Sequence, residues 1–392
     1  MELTKKERAM LDGEMGKAAA KAMEILVAVG KIYSAGRMVP VGSVQIAGVS
    51  YKTIGDAGIE FLQGFADTGA KCIVPAYLNP AGMDLLEWEG MGVPKAFAQK
   101  QLEIVGLYEK MGVKATCTCA PYQIGIVPKL GEHLAWSESS AVCYANSVLG
   151  ARTNRESGMS ALAAALCGVT PEFGLHLEEN RKAGVVFELE CRLKDRYDYA
   201  VLGAHVGKIA GERNPAFVPR AEDKKPTNDM LKLLGAAMAA TGAVALFNFK
   251  DATPEFNVRE GAEKIVVEQK MLDETVAKMN TGEEPELIAI GCPHCSIDEV
   301  CEIAEKVKGK KLGAKKLWVC TSRGVKAVAD AKGYTQVIEE AGGKVVCDTC
   351  MVVCPIEQMG FGITGTDSGK AAQYLPGFCK QKVVFRRLED MI

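Results

Sequence analysis

The sequence predicts an α/β protein built on parallel sheets with helices on both faces. Three observations lead there. In the C-terminal stretch, short apolar runs alternate with segments of helical period. Each run stops at a turn rich in Gly, Pro, Asp or Ser. The composition, 48% hydrophobic and 24% charged over 392 residues, is that of a globular chain long enough for two or three domains.

The elements follow in order. The N-terminal residues are polar and helical in pattern, and Ala18–Ile32 repeats apolar residues at helical spacing. Val39–Gly58 is too rich in Gly, Ser and Thr for a core helix and reads as loop. Lys71–Leu78 reads as a strand closed by an Asn79-Pro80-Ala81-Gly82 turn, residues 95–111 as an amphipathic helix, and Val113–Cys119 as a second strand. Ser137–Gly150 predicts a helix with small residues on one face, Ala151–Ser160 a polar loop, and Ser160–Cys167 another helix. Residues 182–250 mix both signals, with a buried helix running into a strand over Leu234–Phe249 and a surface loop with three prolines over Arg213–Thr227. Asn280–Glu286 is polar and marks a boundary, dividing an N-terminal α/β region (1–285, contiguous or not) from a C-terminal parallel α/β domain (286–392). In that domain Leu287–Ile290, Leu317–Cys320 and Lys344–Val346 are strands. Ser296 with Glu299 forms a capping box that opens the helix Ile297–Lys308, a helix follows Thr321–Gly324, another spans Gly333–Ala341, and Ser368 caps Gly369–Leu375.

Lys plus Arg total 47 and Asp plus Glu 49, a formal net charge of -2, which argues against nucleic acid as a partner. The cluster Glu305–Lys316 reads as a solvated helix end. No apolar run reaches the roughly 18 residues of a membrane span, and no signal-peptide pattern opens the chain, so the expected location is cytoplasmic.

The 14 cysteines stand out. In a long chain without a secretion signal they point to metal or redox chemistry rather than disulfides. Cys72, Cys143, Cys167, Cys191, Cys301 and Cys379 lie in apolar-periodic stretches and read as buried small hydrophobes. The others of interest sit in turns: Cys117-Thr-Cys119, Cys292-Pro-His-Cys295 and Cys347-Asp-Thr-Cys350. Cys292, Ser322 and Cys350 each follow a strand, where open α/β sheets bind ligands. A substrate-binding iron–sulfur cluster needs three thiolates and leaves one iron open, and separate turns can supply one each. Three competing readings stay open at this point. A zinc ribbon also uses two CxxC pairs, although the two tail pairs lie farther apart than its usual spacing, so that signal is weak. Either pair could be a redox dithiol. Cys347, Cys350 and Cys354-Pro355 match part of a ferredoxin run that lacks its first cysteine.

Lys370 stands at a helix start, where free N–H groups hold anions, although a solvated surface lysine fits the pattern equally. The stretch TGTDSGK is not a P-loop, because Ala371 follows the lysine. The four histidines have no metal spacing; His294 is notable for lying between Cys292 and Cys295. Arg152 and Arg155 concentrate positive charge in a loop, either as a solvated ion pair with Glu156 or as guanidinium groups for an anionic substrate.

Seven stretches, GVSYKTIGDAG (Gly48–Gly58), YLNPAGMD (Tyr77–Asp84), TCAPY (Thr118–Tyr122), ESSAVCYANSVLGARTNRES (Glu138–Ser157), GCPH (Gly291–His294), DTCMVV (Asp348–Val353) and SGKAAQYLP (Ser368–Pro376), together resemble the aconitase X family, in order and along essentially the whole chain. The resemblance implies an aconitase-like multi-domain core and a hydro-lyase that removes water from a 3-hydroxy carboxylate with an iron–sulfur cluster. The cluster would be 4Fe-4S foremost, with 2Fe-2S, 3Fe-4S or mononuclear iron as alternatives. The family's cluster cysteines fall on Cys119, Cys292 and Cys350, leaving Cys117, Cys295, Cys347 and Cys354 as extras. Its substrate contacts fall on Gly48, Val49, Ser50, Asn79, Pro80, Asn146, Ser147 and Lys370, with Ser50 and Lys370 nearest the chemistry. Arg152 and Arg155 are added on charge alone.

The chain departs from the family at Glu156-Ser157-Gly158, where Glu-Gly-Gly is frequent, and at Cys295, where a small residue is frequent. The family also uses a small swivelling domain that carries a catalytic serine. No segment after Ile392 supplies one, so the expectation is a separate small subunit, with a general base from that partner. Mevalonate 5-phosphate is the first substrate expected and a hydroxyproline the second. The reading of another class is an electron-transfer or zinc-bearing structural subunit.

Overall fold

The computed structural model describes residues 1–392. Three parallel sheets organise the chain. The first is small, with Val44–Ile46 flanked by Ala76–Leu78 on one side and Ala135–Trp136 on the other. The middle sheet runs in the order Asn248–Phe249, Pro215–Val218, Ala183–Leu189, Val258–Val267. The C-terminal sheet runs Gly343–Cys347, Lys316–Thr321, Leu287–Cys295, Ile363–Thr366, Lys382–Phe385. One antiparallel pair, Met38–Pro40 with Val169–Pro171, stands apart from them.

The order of the C-terminal sheet has a consequence for the site. Its first strand in sequence, Leu287–Cys295, lies in the middle. The next two strands build outward on one side, and the last two on the other. The direction of winding therefore reverses between Leu287–Cys295 and Ile363–Thr366. In doubly wound sheets such a reversal opens a crevice at the carboxyl ends of the two strands. Cys292 and Lys370 stand on either side of it.

Local signals explain the elements around this crevice. Ser296 and Glu299 form the expected capping box of the helix Ile297–Val307, and Ser368 accepts from the N–H of Ala371 to open Gly369–Cys379. Helices Arg196–Ala210 and Asn228–Gly242 pack side by side, and the second lies against the strand Leu287–Cys295. A side chain at Gly203 would run into the Leu234 carbonyl, and one at Gly369 would stand 2.7 Å from the Ala200 carbonyl. The second approach seats the Lys370 helix on the helix beneath it. Helices Ile297–Val307, Arg323–Ala331 and Tyr334–Glu340 cover the other face, so helices do flank this sheet on both sides.

The structure corrects several readings. Val39–Gly58 is not a loop: it contributes the strand Val44–Ile46 and the start of the helix Tyr51–Ala66. The Gly-rich turn of that helix survives because Ser50 caps it and Gly55 takes a non-helical conformation, while the buried face begins only at Ile59. Val113–Cys119 is not a strand; it touches the first sheet through a single bridge at Lys114, and Cys117 turns it away with φ 42°. The strand expected over Lys71–Leu78 is confined to Ala76–Leu78. Within the expected surface loop Arg213–Thr227, Pro215–Val218 is a largely buried strand, with Pro215 at its first position, where a missing N–H is tolerated. Cys72 and Cys301 are half-buried rather than core residues. No helix is long and apolar enough to cross a membrane.

Candidate active site

The carboxyl ends of the first and C-terminal sheets face one cavity of about 220 Å³. Strand Val44–Ile46 delivers Gly48, Val49 and Ser50; Ala76–Leu78 delivers Asn79 and Pro80; Ala135–Trp136 delivers Glu138. From the C-terminal sheet come Cys292, Cys350 and Lys370, and Cys119 reaches in from the turn after Thr118. Arg155 completes the polar lining, while Val352, Val353, Tyr374 and Phe378 supply apolar wall.

The centre is a buried ion pair. Lys370 Nζ donates to Glu138 Oε1 and to Ser140 Oγ at 3.3 Å, and Asn79 Nδ2 donates to Glu138 Oε2 at 2.6 Å. Burial alone would raise the Glu138 carboxyl; the Lys370 ammonium overrides it and holds the group at about 2. Burial likewise disfavours charge on Lys370, but Glu138 and the neighbouring thiols leave its ammonium raised and firmly protonated. Asn79 keeps its carbonyl oxygen buried without a partner. Ser50 Oγ accepts from the N–H of Lys52 at 3.3 Å and donates to the Val353 carbonyl at 2.8 Å, tying the start of its helix to the turn after Cys350.

The three cysteines differ in environment. Burial pushes Cys119 up to about 12, although the N–H of His294 points at its sulfur from 3.2 Å. Cys292 and Cys350 face each other. Cys350 is drawn down by a hydrogen bond from Cys292 against the cost of burial, with help from the Val352 and Val353 N–H groups, and Cys292 rises in consequence. The turn that carries Cys350 is anchored from outside the cavity. Arg323 binds both Asp348 and Asp84, and Asp84 accepts from the Cys347 N–H at 3.0 Å.

No group of three or more His, Cys, Asp or Glu is gathered to grip a single metal ion. A lone zinc draws its sulfur ligands to about 2.3 Å. The three thiols instead line a shared cavity beside a lysine and a sulfur-directed N–H. That donor set suits a polynuclear iron–sulfur group, which takes thiolates and gains from hydrogen bonds to sulfur.

Of the residues singled out in the sequence, Gly48, Val49, Ser50, Asn79, Pro80, Cys119, Arg155, Cys292, Cys350 and Lys370 line this cavity. Asn146, Ser147 and Arg152 do not. Asn146 bonds Thr153 and the Ala245 carbonyl, and Ser147 accepts from the Phe247 N–H at 2.8 Å. Arg152 is held by Glu255 at 2.7 Å and Glu178 at 3.0 Å. Asn146 and Arg152 fasten the loop that presents Arg155, and Ser147 ties its helix to the segment before Asn248. Sequence reasoning missed Glu138, whose one local signal was a carboxylate two residues after a short apolar pair, at the cap of a helix. Cys117, Cys295, Cys347 and Cys354 are buried but outside the cavity lining. A larger hollow of about 590 Å³, lined by Arg192, Lys194, Arg387 and Asp273 among others, shares no residue with it.

The fold and the site thus define an α/β protein with a cysteine-lined cleft at the carboxyl ends of parallel strands and a buried lysine–glutamate pair beside it. Comparison with known proteins makes the assignment specific. Residues 1–179, 183–277 and 285–392 match, in turn, the first, second and third domains of aconitase X, and the chain belongs to that family. It is 51% identical to a protein of Methanocaldococcus jannaschii named phosphomevalonate dehydratase large subunit, across 100% of this chain and 99% of that one. A protein of the same name from Thermococcus kodakarensis is 49% identical over 96% of both chains. A cis-3-hydroxy-L-proline dehydratase of Pseudomonas aeruginosa is 33% identical, with 98% of this chain spanning 68% of it. The crystal structure of Thermococcus kodakaraensis aconitase X in its holo-form superposes with a TM-score of 0.93 at 48% identity, covering 100% of this chain and 98% of that one.

Proposed function

We propose that the chain is the large subunit of an iron–sulfur hydro-lyase that dehydrates a phosphorylated 3-hydroxy carboxylate, mevalonate 5-phosphate, to an anhydromevalonate phosphate. The observation that carries this reading is the convergence of Cys119, Cys292 and Cys350 with Lys370, Ser50 and Asn79 on one cavity. The substrate follows from relatives near 50% identity that bear the phosphomevalonate dehydratase name.

Cys119, Cys292 and Cys350 would hold the cluster, with 4Fe-4S the form that leaves one iron open after three thiolates. When bound, such a cluster supplies a Lewis acid for the leaving hydroxyl and the carboxylate. The chain's own residues do the positioning. Lys370 sets one fixed positive charge against the developing negative charge of the substrate, and Glu138 holds that ammonium in place. The unpaired Asn79 carbonyl oxygen accepts from a substrate hydroxyl. Arg155 has no carboxylate partner and only a 3.4 Å bond to the Ala239 carbonyl, which leaves it free for the phosphate. The backbone from Gly48 to Ser50 lines the same cavity and brings its polar groups to the anion. Val352, Val353 and Phe378 keep water from the reacting carbons.

The proton next to the carboxylate is taken by a base on a small subunit, which also brings the catalytic serine. The relatives' designation as large subunits supports such a partner. A hydroxyproline is the second substrate, favoured by the likeness to cis-3-hydroxy-L-proline dehydratases. The test is anaerobic. The chain with its small subunit is assayed on mevalonate 5-phosphate and on cis-3-hydroxy-L-proline, with iron and sulfide content and the electron paramagnetic resonance spectrum recorded on each addition. Turnover of the first, with a spectrum perturbed by it, supports the reading. Turnover of the second alone moves the chain to the other branch. Zinc, or a spectrum that neither substrate touches, sinks the dehydratase reading.

A further inference from the structure

His294 has all four of its polar atoms engaged, and it is fully buried. Its N–H points at Cys119 Sγ from 3.2 Å, and its carbonyl accepts from Lys232 Nζ at 3.3 Å. Its ring stands between the other two participants: Nδ1 lies 3.0 Å from Thr118 Oγ1 and Nε2 lies 2.9 Å from the Thr349 carbonyl. Thr118 precedes Cys119, His294 is two residues past Cys292, and Thr349 precedes Cys350. One imidazole therefore spans the three turns that carry the three cavity cysteines, which are brought together from widely separated parts of the sequence.

The network also sets the ring's proton. A carbonyl only accepts, so Nε2 carries the hydrogen toward Thr349. Thr118 Oγ1 already accepts from the Ala120 N–H at 3.1 Å, so its own hydrogen is free to go to Nδ1. The bonds run in one direction, from Ala120 through Thr118 and the imidazole to Thr349, with each donor and acceptor used. A buried histidine that only filled space would have no reason to choose neighbours of all three thiols.

We infer that His294 is a positioning residue for the iron–sulfur cluster, clamping the Cys119, Cys292 and Cys350 turns at the spacing the cluster needs. The inference rests on the iron–sulfur reading above. Residues that hold metal ligands in place typically change metal affinity about 10–100-fold when removed, and the clamp belongs to that class. It acts on cluster retention and leaves the fold in place.

The test uses the full chain, loaded with iron and sulfide under anaerobic conditions. Iron and sulfide per chain, the paramagnetic resonance spectrum and the rate of iron release to a ferrous chelator are read for wild type, His294→Ala, His294→Gln, Thr118→Val and Thr118→Ser, with far-ultraviolet circular dichroism as the fold control. His294→Ala should release iron about 10–100-fold faster and shift the spectrum. His294→Gln, which can still donate toward Thr349, should fall between the two. Thr118→Val should speed release, and Thr118→Ser, which restores the hydroxyl, should reverse that. If His294→Ala does not fold, the Thr118→Val and Thr118→Ser pair decides. Release and spectra equal to wild type in His294→Ala, or in Thr118→Val where that pair decides, overturn the clamp while the cluster assignment stands. A wild-type chain that takes up no iron and sulfide overturns the iron–sulfur reading, and the clamp with it.

Discussion

Replacing Lys370 by Met separates the two roles of the buried ion pair. The ammonium binds Glu138, and both side chains are largely withdrawn from water. Its loss leaves a carboxylate with Asn79 and the Glu138-capped helix start as its remaining partners. Breaking a buried pair from one side costs about 3–5 kcal/mol, because the desolvated charge left behind is uncompensated. Unfolding entropy of about 2.1 cal/mol/K per residue, taken over 392 residues, converts that into a fall of roughly 4–6 °C in Tm. The double variant Lys370→Met/Glu138→Gln removes both charges and should recover most of the lost stability, yet it should stay inactive, because no cation faces the substrate. The pH dependence carries its own sign. In wild type Glu138 is held at about 2, below the usual carboxylate range, so its contribution is complete above about 4.5 and is lost as pH falls from there toward 2. In Lys370→Met the same carboxyl is raised instead, so the penalty is greatest near neutrality and shrinks on acidification. The assay is thermal melting in anaerobic, reducing buffer from pH 7.5 to 4, beside turnover at pH 7.5. A Tm within 1 °C of wild type for the single variant, using the same conversion of about 0.8 kcal/mol/K, would refute the burial argument. Activity restored in the double variant would refute the assignment of Lys370 to the substrate.

Three further outcomes follow. Cys119→Ala, Cys292→Ala and Cys350→Ala should each abolish stable iron binding, whereas Cys295→Ala and Cys347→Ala, outside the cavity, should retain it; iron and sulfide analysis distinguishes the two sets. Arg155→Gln should raise KM for the phosphorylated substrate about 10–100-fold, the value of one charge-assisted hydrogen bond, with a smaller change in kcat, and steady-state kinetics would contradict this if kcat alone fell. His176, pushed down to about 3 by burial and by the stacked His133 2.9 Å away, takes up its proton more readily unfolded than folded. Stability should therefore fall as pH drops below about 6.5, by up to roughly 1.4 kcal/mol per pH unit, and His176→Gln should flatten that slope in melting curves.

The C-terminal domain was the most legible part of the fold, and the reason is local. Its strands are short apolar runs ended by turns rich in Gly, Pro, Asp or Ser, and its helices carry side-chain caps such as Ser296 with Glu299, so each element is specified within a few residues. The region around the first sheet was harder. Val44–Ile46 is three residues long, and the helix that follows it begins with Thr53 and Gly55 among its first residues. Its stability comes from tertiary burial of Ile59, Leu62 and Phe65 rather than from propensity, and such burial leaves little trace in the opening turn. Pro215 misled for a related reason: a proline signals a loop unless it occupies the first position of a strand, and that position is set by pairing with Val185, which is remote in sequence.

The site divides along the same line. The cysteine pairs in turns and Lys370 could be singled out from the chain alone, and the resemblance to aconitase X narrowed the pairs to Cys119, Cys292 and Cys350, which line the cavity with Lys370. Glu138 could not, since a glutamate before two serines reads as an ordinary helix cap, and it is one. Its second role appears only when the fold brings the Lys370 helix, some 230 positions later in sequence, against that cap. The reverse error has the same origin. Asn146 and Arg152 lie in the most distinctive string of the sequence, yet their side chains are spent on Thr153, Arg181 and Glu255, holding the loop whose one free guanidinium is Arg155. A distinctive string thus marks a structural unit whose residues share a purpose, and hydrogen-bond accounting is what separates the member that faces the cavity from those that aim it.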